Sequence, residues 1–195
     1  MKKTILCFVM AVAFMQVSLA QVKWNMDPMH TNIRFEVKHT GISFVDGEFK
    51  EIQGTMESTS KDDFDGATFN YTVAVGSIDT RVPARNAHLL TDDFFNVEAY
   101  PQMTLKNAKL TKKWGDHYVL EGELTIRDVT KSVSFDTVLN GTLVDKDGDT
   151  HVGFTATTTI DRTDFNINYN DKLPSGIDAV GKYIKIIVNT ELIEE

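Results

Sequence analysis

The segment from Gly76 to Met103 holds the densest group of side chains that could carry out acid–base chemistry. His88 is followed closely by Asp92 and Asp93. A histidine held by a carboxylate can act as a general base, so these residues predict a hydrolase or isomerase centre if they converge beside a binding pocket. The alternative is a solvated loop whose charges pair locally, where each exposed pair contributes at most about 1 kcal/mol.

The same segment contains an adjacent aromatic pair, Phe94 and Phe95, inside an irregular and charged stretch. Such a stretch indicates either a lid over an apolar interior or an ordinary connection anchored by two aromatic rings. If it is a lid, nearby polar side chains could meet the head group of a ligand. Residues 84–90 have the composition of a short helix, and Thr91 is a suitable N-cap for the acids that follow it. We therefore predict a helical insert near residues 81–98, with a polar mouth made of His39, Asp79, Arg81, Arg85 and His88.

The histidines and the acidic turn give little indication of a metal. His30, His39, His88, His117 and His151 are scattered, without the close spacing typical of an exported zinc site. The stretch Asp145–Asp149 resembles a calcium loop, but its glycine comes too early and Ala156 stands where the bidentate glutamate belongs. A hairpin turn explains this stretch better, and we expect no metal and no cofactor.

Several enzyme templates are absent from the sequence. It contains no nucleophile elbow, no H-E-x-x-H zinc motif, no phosphate-binding P-loop and no dinucleotide fingerprint. The single cysteine, Cys7, lies in the N-terminal apolar segment described next. The sequence therefore favours a protein that is not an enzyme.

The N-terminus has the organisation of an export signal. Lys2 and Lys3 precede an apolar run from Ile5 to Met15, and Ser18-Leu19-Ala20 forms a small-x-small cleavage site. The apolar run is short for a membrane span. We predict that residues 1–20 are a signal peptide cut after Ala20, and that residues 21–195 form one periplasmic or secreted domain.

The charge balance limits the partners of that domain. The chain has a formal charge of −8, and removal of Lys2 and Lys3 would make it more negative by two. An acidic protein repels nucleic acid and anionic membrane surfaces, so we expect no nucleic-acid partner and no stable membrane insertion. A single bound lipid remains compatible, because apolar contact needs no net charge.

Most of the remaining sequence alternates with the period of a β-strand. In residues 31–40, for example, Ile33, Phe35 and Val37 share one face, and polar side chains occupy the other. About eight such strands indicate an all-β protein. Its apolar face must be hidden by closure into a barrel or by pairing of two sheets.

The alternation also predicts which side chains face inward. Large and small residues are mixed there, which could leave room for a ligand, although periodicity cannot distinguish a cavity from a filled core. The predicted lining of an apolar pore is Ile33, Phe35, Val37, Phe49, Phe69, Tyr71, Val73, Val75, Phe94, Phe95, Met103, Leu105, Leu120, Leu124, Ile126, Val133, Phe135, Phe154, Ile160, Phe165, Ile184, Ile186 and Val188.

The order and spacing of short motifs along residues 21–195 resemble those of the YceI-like polyisoprenoid-binding family. The matching elements are Trp24, Asp27, His30-Thr31, the β-strand from Ile33 to His39, residues 77–80 (SIDT), 87–89 (AHL), 93–95 (DFF), 100–101 (YP), 122–131 (GELTIRDVTK), 153–154 (GF) and 162–165 (RTDF). The resemblance implies an eight-stranded antiparallel lipocalin-like barrel. It also implies an elongated pore for an isoprenoid such as a polyprenyl quinone or polyprenyl phosphate, and a homodimer, since family members are often dimeric.

Two positions depart from the family pattern. Asn86 follows Arg85 where the family often has an acid, and Asn166 follows Phe165 where it usually has glycine. Asparagine still tolerates positive φ, so the loop after Asn166 could close the pore differently. We expect a non-enzymatic carrier or storage protein for an isoprenoid lipid. The alternatives are a periplasmic hydrolase or isomerase that uses His88, and a solid-core stress or interaction protein.

Overall fold

The computed structural model describes residues 21–195, so the predicted signal peptide and Cys7 lie outside the described residues. Eleven antiparallel strands and one short helix make up the architecture. The strands are β1 Val22–Met26, β2 Asn32–His39, β3 Ser43–Phe49, β4 Ile52–Ser58, β5 Thr68–Ala74, β6 Ile78–Asp79, β7 Gln102–Trp114, β8 His117–Ile126, β9 Val129–Val144, β10 Thr150–Asp161 and β11 Val180–Glu194, and the helix α1 is Pro83–Leu89.

Eight of these strands close into a barrel, which confirms the predicted fold class. The circuit runs β1-β4-β5-β7-β8-β9-β10-β11 and returns to β1 through pairing of Trp24 with Glu194. Closure satisfies the hydrogen-bonding edges that an open sheet would expose. Within residues 21–195, no helix is both long and apolar enough to cross a membrane.

The other three strands extend the sheet beside one end of the barrel. The first part of β11 pairs with β2 rather than β1, β2 pairs with β3, and β3 pairs with the two-residue strand β6. Residues from β6 to the start of β7, including helix α1, then cross this end of the barrel. We call it the insert end.

The opposite end is closed by a solid apolar core, and we call it the blind end. Trp24 and Phe64 are almost fully buried and meet edge to face, with ring centroids 5.7 Å apart. The indole Nε1 donates a hydrogen bond of 2.9 Å to the Ser58 hydroxyl. Phe64 in turn contacts Phe154 at 5.5 Å, so the floor of the barrel is a packed aromatic cluster.

The insert contains one helix instead of two helical elements. Pro83 occupies the first turn of α1, where its missing N–H has no cost. The expected N-cap at Thr91 is wrong, because residues 91–97 form successive turns and the Thr91 hydroxyl donates to the His88 carbonyl, 2.8 Å away. Thr91 therefore follows the end of α1 and begins no second helix.

The acidic stretch from Asp145 to Asp149 is a hairpin turn between β9 and β10. One carboxylate oxygen of Asp145 accepts hydrogen bonds from the backbone N–H groups of Asp147 and Asp149. This Asx-type bonding accounts for the composition of the turn without a cation.

Two histidines join the strand ends at the blind end. His30 Nδ1 lies 2.7 Å from Asp27 Oδ2, and His151 Nδ1 lies 2.8 Å from Glu191 Oε1. The polar atoms of Asp27, His30 and Glu191 are within 4.8 Å of one another. This cluster, to which Asp145 adds a carboxylate 3.4 Å from His151 Nε2, connects the β1–β2 turn, the β9–β10 hairpin and β11.

Because of this cluster, we expect the free energy of unfolding to fall as pH rises. Hydrogen bonding to Asp27 raises the pKa of His30, and hydrogen bonding to Glu191 raises the pKa of His151. The protonated forms are therefore favoured by folding. Their contribution is fully present below the ordinary histidine pKa of about 6.5 and is lost as pH passes through the higher folded pKa values.

Urea unfolding at several pH values between about 5.5 and 8.5 would measure this effect. The urea midpoint should fall from the acidic to the alkaline end of that range. The His30→Gln/His151→Gln double variant should show a smaller fall, whereas His39→Gln, which alters an exposed histidine outside the cluster, should behave as the wild type. A double variant with an unchanged pH profile would contradict the assignment.

Candidate functional site

The barrel encloses an elongated apolar cavity between the blind end and the insert. Its volume is about 170 Å³, more than ten times the roughly 10–15 Å³ that one water requires. The interior is therefore hollow, which disagrees with the solid-core alternative.

The strands that form the wall place their inward residues in the cavity as period-two alternation requires. All but two of the predicted lining residues are in the wall, including Phe35 of β2, Val73 of β5 and Phe135 of β9. Phe94 and Phe95 reach the same space from the insert, and the ring of Phe95 contacts that of Phe49 at 5.9 Å. The aromatic pair thus forms part of a cover over the apolar space.

Two residues of the predicted lining lie elsewhere. Val75 is buried, but β5 ends at Ala74 and a 3₁₀ turn at Val75–Ser77 breaks the alternation, so its side chain packs into the core outside the cavity. Val133 is partly exposed and packs against the core from β9. The alternation of inward and outward residues along a strand does not predict the positions of these two side chains.

Other wall residues were missed by sequence reasoning. Leu89, Ile167 and Val180 belong to the insert, to a loop and to the bulged start of β11, where no alternation exists to read. Thr137, Ala156 and Thr190 do follow strand parity, and their small or polar side chains gave a weaker signal. Thr104, Arg34 and Arg162 complete the wall.

Most buried polar atoms of the wall are already paired. The Tyr71 hydroxyl donates to Thr190 Oγ1 at 3.0 Å, and Thr137 Oγ1 donates to the Phe135 carbonyl at 3.2 Å. Burial raises the pKa of Tyr71, so its phenol stays neutral. The cavity offers a ligand almost only apolar contact.

None of the five residues of the predicted polar mouth is in the cavity wall. Asp79 forms an ion pair with Lys50, and Arg81 pairs with Asp46 at 2.5 Å. These contacts attach β6 and the turn after it to the outside of β3. Arg85 donates to the hydroxyl and carbonyl of Thr80, and His39 is exposed at the end of β2.

His88 and Asp93 do form a pair, with Nε2 and Oδ2 separated by 2.9 Å. Both side chains are about half exposed, and neither is in the cavity wall. The His88 ring packs edge-on against Phe94 and Tyr169 at about 5 Å. The His88–Asp93 pair therefore packs against the outer side of the insert and does not reach the cavity.

Arg127 connects the insert to the loop after β10. Its Nη1 donates to the carbonyls of Phe94 and Asn166 at 3.1 and 2.8 Å, and its guanidinium lies 5.7 Å from the ring centroid of Tyr100. Arg127 is one of the non-glycine residues with positive φ, at 55°. Arg127 lies in the turn between β8 and β9, and nothing in the sequence indicates its distant carbonyl partners.

Comparison with known proteins identifies the family. The model of the YceI-like domain matches residues 24–192. The chain belongs to the YceI-like family. A UPF0312 protein of Pectobacterium atrosepticum is 36% identical over 148 residues, which cover 76% of each chain. The protein YceI of Salmonella arizonae is 29% identical over 198 residues and the full length of both.

Solved structures resemble this YceI-like protein over most of its length. The YceI protein of Campylobacter jejuni superposes with a TM-score of 0.64 at 29% identity, covering 78% of this chain and 88% of that one. A polyisoprenoid-binding domain from Saccharophagus degradans superposes with a TM-score of 0.61 at 10% identity, covering 88% and 98%. The second likeness is a likeness of fold.

Proposed function

We propose that this YceI-like protein is a non-enzymatic carrier or storage protein that holds an isoprenoid lipid inside the barrel. We further propose that it acts in the periplasm or outside the cell after removal of residues 1–20, as the sequence of that segment suggests. The observation that carries the proposal is the cavity inside the barrel, whose wall is almost entirely apolar. The structural likeness to a polyisoprenoid-binding domain supports the same ligand class.

The energetics are adequate for such a ligand. Burial of about 400 Å² of a hydrocarbon tail contributes on the order of 10 kcal/mol before the costs of association. Methyl-branched chains fit a wall that mixes aromatic and small residues, because the small residues leave recesses between the rings. Selectivity would then come mainly from the shape and length of the cavity.

A catalytic role receives less support from the site. The described cavity wall includes no histidine, carboxylate or lysine side chain. Its one tyrosine, Tyr71, donates its hydroxyl to Thr190, so the wall offers little for general acid–base catalysis. The His88–Asp93 pair lies on the outer surface. A carrier needs only the binding that the wall provides.

Occlusion of the cavity tests this proposal. Ala156 is buried in the wall, on β10, and Ala156→Phe would project a ring into the space that the lipid tail needs. Delipidated wild-type protein should bind a polyprenol in a fluorescence-displacement titration, and Ala156→Phe should bind it at least about tenfold more weakly, since each loss of about 1.4 kcal/mol of contact is a factor of ten.

The matched control is Thr159→Phe, which adds the same ring to an exposed position of the same strand. It should bind polyprenol as the wild type does. Equal affinities for all three proteins, with circular dichroism confirming that Ala156→Phe is folded, would contradict binding in the cavity.

A further inference from the structure

A cluster of histidine and carboxylate side chains lies at the blind end, outside the cavity wall. Its central members are Asp27 and His30 in the β1–β2 turn and Glu191 on β11, and one ligand atom from each lies within 4.8 Å of the other two. His151 on β10 adds a second imidazole, with Nδ1 2.8 Å from Glu191 Oε1. These side chains come from three segments that are far apart in sequence, and closure of the barrel brings them together.

Main-chain hydrogen bonds hold the two central carboxylate residues in place. The backbone N–H of Asp27 donates to the Glu191 carbonyl at 2.9 Å, and the backbone N–H of Glu191 donates to the Thr31 hydroxyl at 3.2 Å. The backbone N–H of Met29 donates to Asp27 Oδ1 at 2.7 Å, while Oδ2 of the same carboxylate lies 2.7 Å from His30 Nδ1. The side chains are therefore carried by a backbone that is already ordered, which lowers the cost of binding an ion.

The cluster holds more negative charge than its ion-pair partners can neutralise. The three carboxylates of Asp27, Asp145 and Glu191 form ion pairs only with histidines, the first with His30 and the other two with His151. Among the residues that the structure describes, no lysine or arginine forms an ion pair with any of the three carboxylates. Whenever the imidazoles are neutral, the cluster therefore presents uncompensated negative charge, which a bound cation would balance.

One imidazole and two carboxylates are a suitable ligand set for Zn²⁺. This ion takes histidine nitrogen and carboxylate oxygen at about 2.0–2.2 Å, and three protein ligands commonly leave its fourth position to water. Ligand atoms around such an ion are about 3–3.5 Å apart, so the side chains need to shift by only about 1 Å. The His30 side chain is 61% exposed, which gives an ion access from solvent. Ca²⁺ and Mg²⁺ prefer oxygen ligands, so the imidazole favours a transition metal.

We propose that Asp27, His30 and Glu191 bind one Zn²⁺ ion per chain at the blind end of the barrel, and that His151 orients Glu191 from outside the ligand set. The site lies where β11 exchanges partners, since β11 pairs with β1 on one side of Glu191 and with β2 on the other. The ion ties the β1–β2 turn to β11 and reinforces closure of the barrel. The proposal replaces the expectation, based on sequence spacing, that the chain binds no metal, and it is independent of lipid binding because the three ligands lie outside the cavity wall.

Titration of the untagged, EDTA-treated protein with Zn²⁺ in a calorimeter tests the proposal. At about pH 8, where a metal ion competes well with protons for histidine, the wild type should bind one Zn²⁺ per chain. His30→Gln removes a ligand and should weaken binding by at least about 100-fold, and His151→Gln should weaken it by about tenfold, because loss of an outer partner alone costs about 10- to 100-fold. Ca²⁺ should bind the wild type at least about 100-fold more weakly than Zn²⁺, because it prefers oxygen ligands.

His88→Gln is the matched control. His88 also pairs with a carboxylate, that of Asp93, at 2.9 Å, but among the described residues this pair belongs to no group of three potential ligands. The variant should bind Zn²⁺ as the wild type does. Binding that weakens equally in His88→Gln and His30→Gln, or that persists unchanged in His30→Gln, would assign Zn²⁺ to other surface groups and overturn the proposal. A wild type that binds no Zn²⁺, or binds Ca²⁺ equally well, would also overturn it.

The variants could lose stability because the cluster joins three segments, so two further measurements use the wild type alone. Co²⁺ accepts similar ligands, and its unpaired electrons shift the NMR signals of nearby nuclei. One equivalent should shift the ring signals of His30 and His151 and leave those of His39 and His88 in place. Zn²⁺ at about 100 times its dissociation constant should raise the melting temperature by about 5–10 °C. Unshifted His30 and His151 signals, or an unchanged melting temperature, would contradict the site.

Discussion

Replacement of Val73 by aspartate should abolish isoprenoid binding. Val73 is buried in the cavity wall on β5, and the substitution would place a carboxylate among apolar side chains with no cation beside it. An unpaired buried charge costs several kcal/mol, so we expect an affinity loss of at least about 100-fold. Phe35→Asp, on β2 across the wall, should have the same effect.

The measurement is a titration of delipidated protein with polyprenol, with circular dichroism to verify the fold. Asn70→Asp is the matched control, since it introduces the same carboxylate on the same strand at an exposed position. It should bind with unchanged affinity. Folded Val73→Asp and Phe35→Asp variants that bind polyprenol as well as the wild type would refute the assignment of the wall.

Replacement of Trp24 by alanine should cause the largest loss of stability without removing a wall residue. Trp24 is 1% exposed, packs against Phe64 and donates to Ser58. Removal of a buried indole costs about 3–5 kcal/mol. At about 2–4 °C per kcal/mol for a chain of this size, the melting temperature should fall by roughly 6–20 °C.

Trp114→Ala provides the comparison within the same chain. Trp114 is 68% exposed at the end of β7, where its ring stacks on His117. Its replacement should change the free energy of unfolding by no more than about 0.5 kcal/mol. Similar melting temperatures for the two variants, measured by differential scanning calorimetry, would contradict the packed core at the blind end.

The cavity-lining residues that can be predicted from the sequence are those on regular strands, where apolar and polar residues alternate. Along β2, for instance, Ile33, Phe35 and Val37 reach the cavity because successive side chains of a strand point to opposite faces. The same rule failed at Val75, where a 3₁₀ turn replaces the strand. The hydrophobic pattern does not show that the backbone leaves the strand conformation after Ala74.

The polar interactions could not be predicted from the sequence, because the interacting residues are distant along the chain. Arg81 lies near the predicted lid, and nothing local indicates that Asp46 on β3 would hold it outside the barrel. The carbonyl partners of Arg162 likewise depend on a bulge in β11. Similarly, His30 and His151 are far apart in sequence, and closure of the barrel brings both to Glu191.

Organic extraction of the purified full-length chain, followed by mass spectrometry, tests the central claim most directly. After expression in a bacterial host and isolation of the processed protein, the extract should contain an isoprenoid lipid in near one-to-one ratio with the wild type. Ala156→Phe should yield much less. Wild-type protein that contains no isoprenoid, and takes up none when mixed with polyprenol after delipidation, would contradict the account.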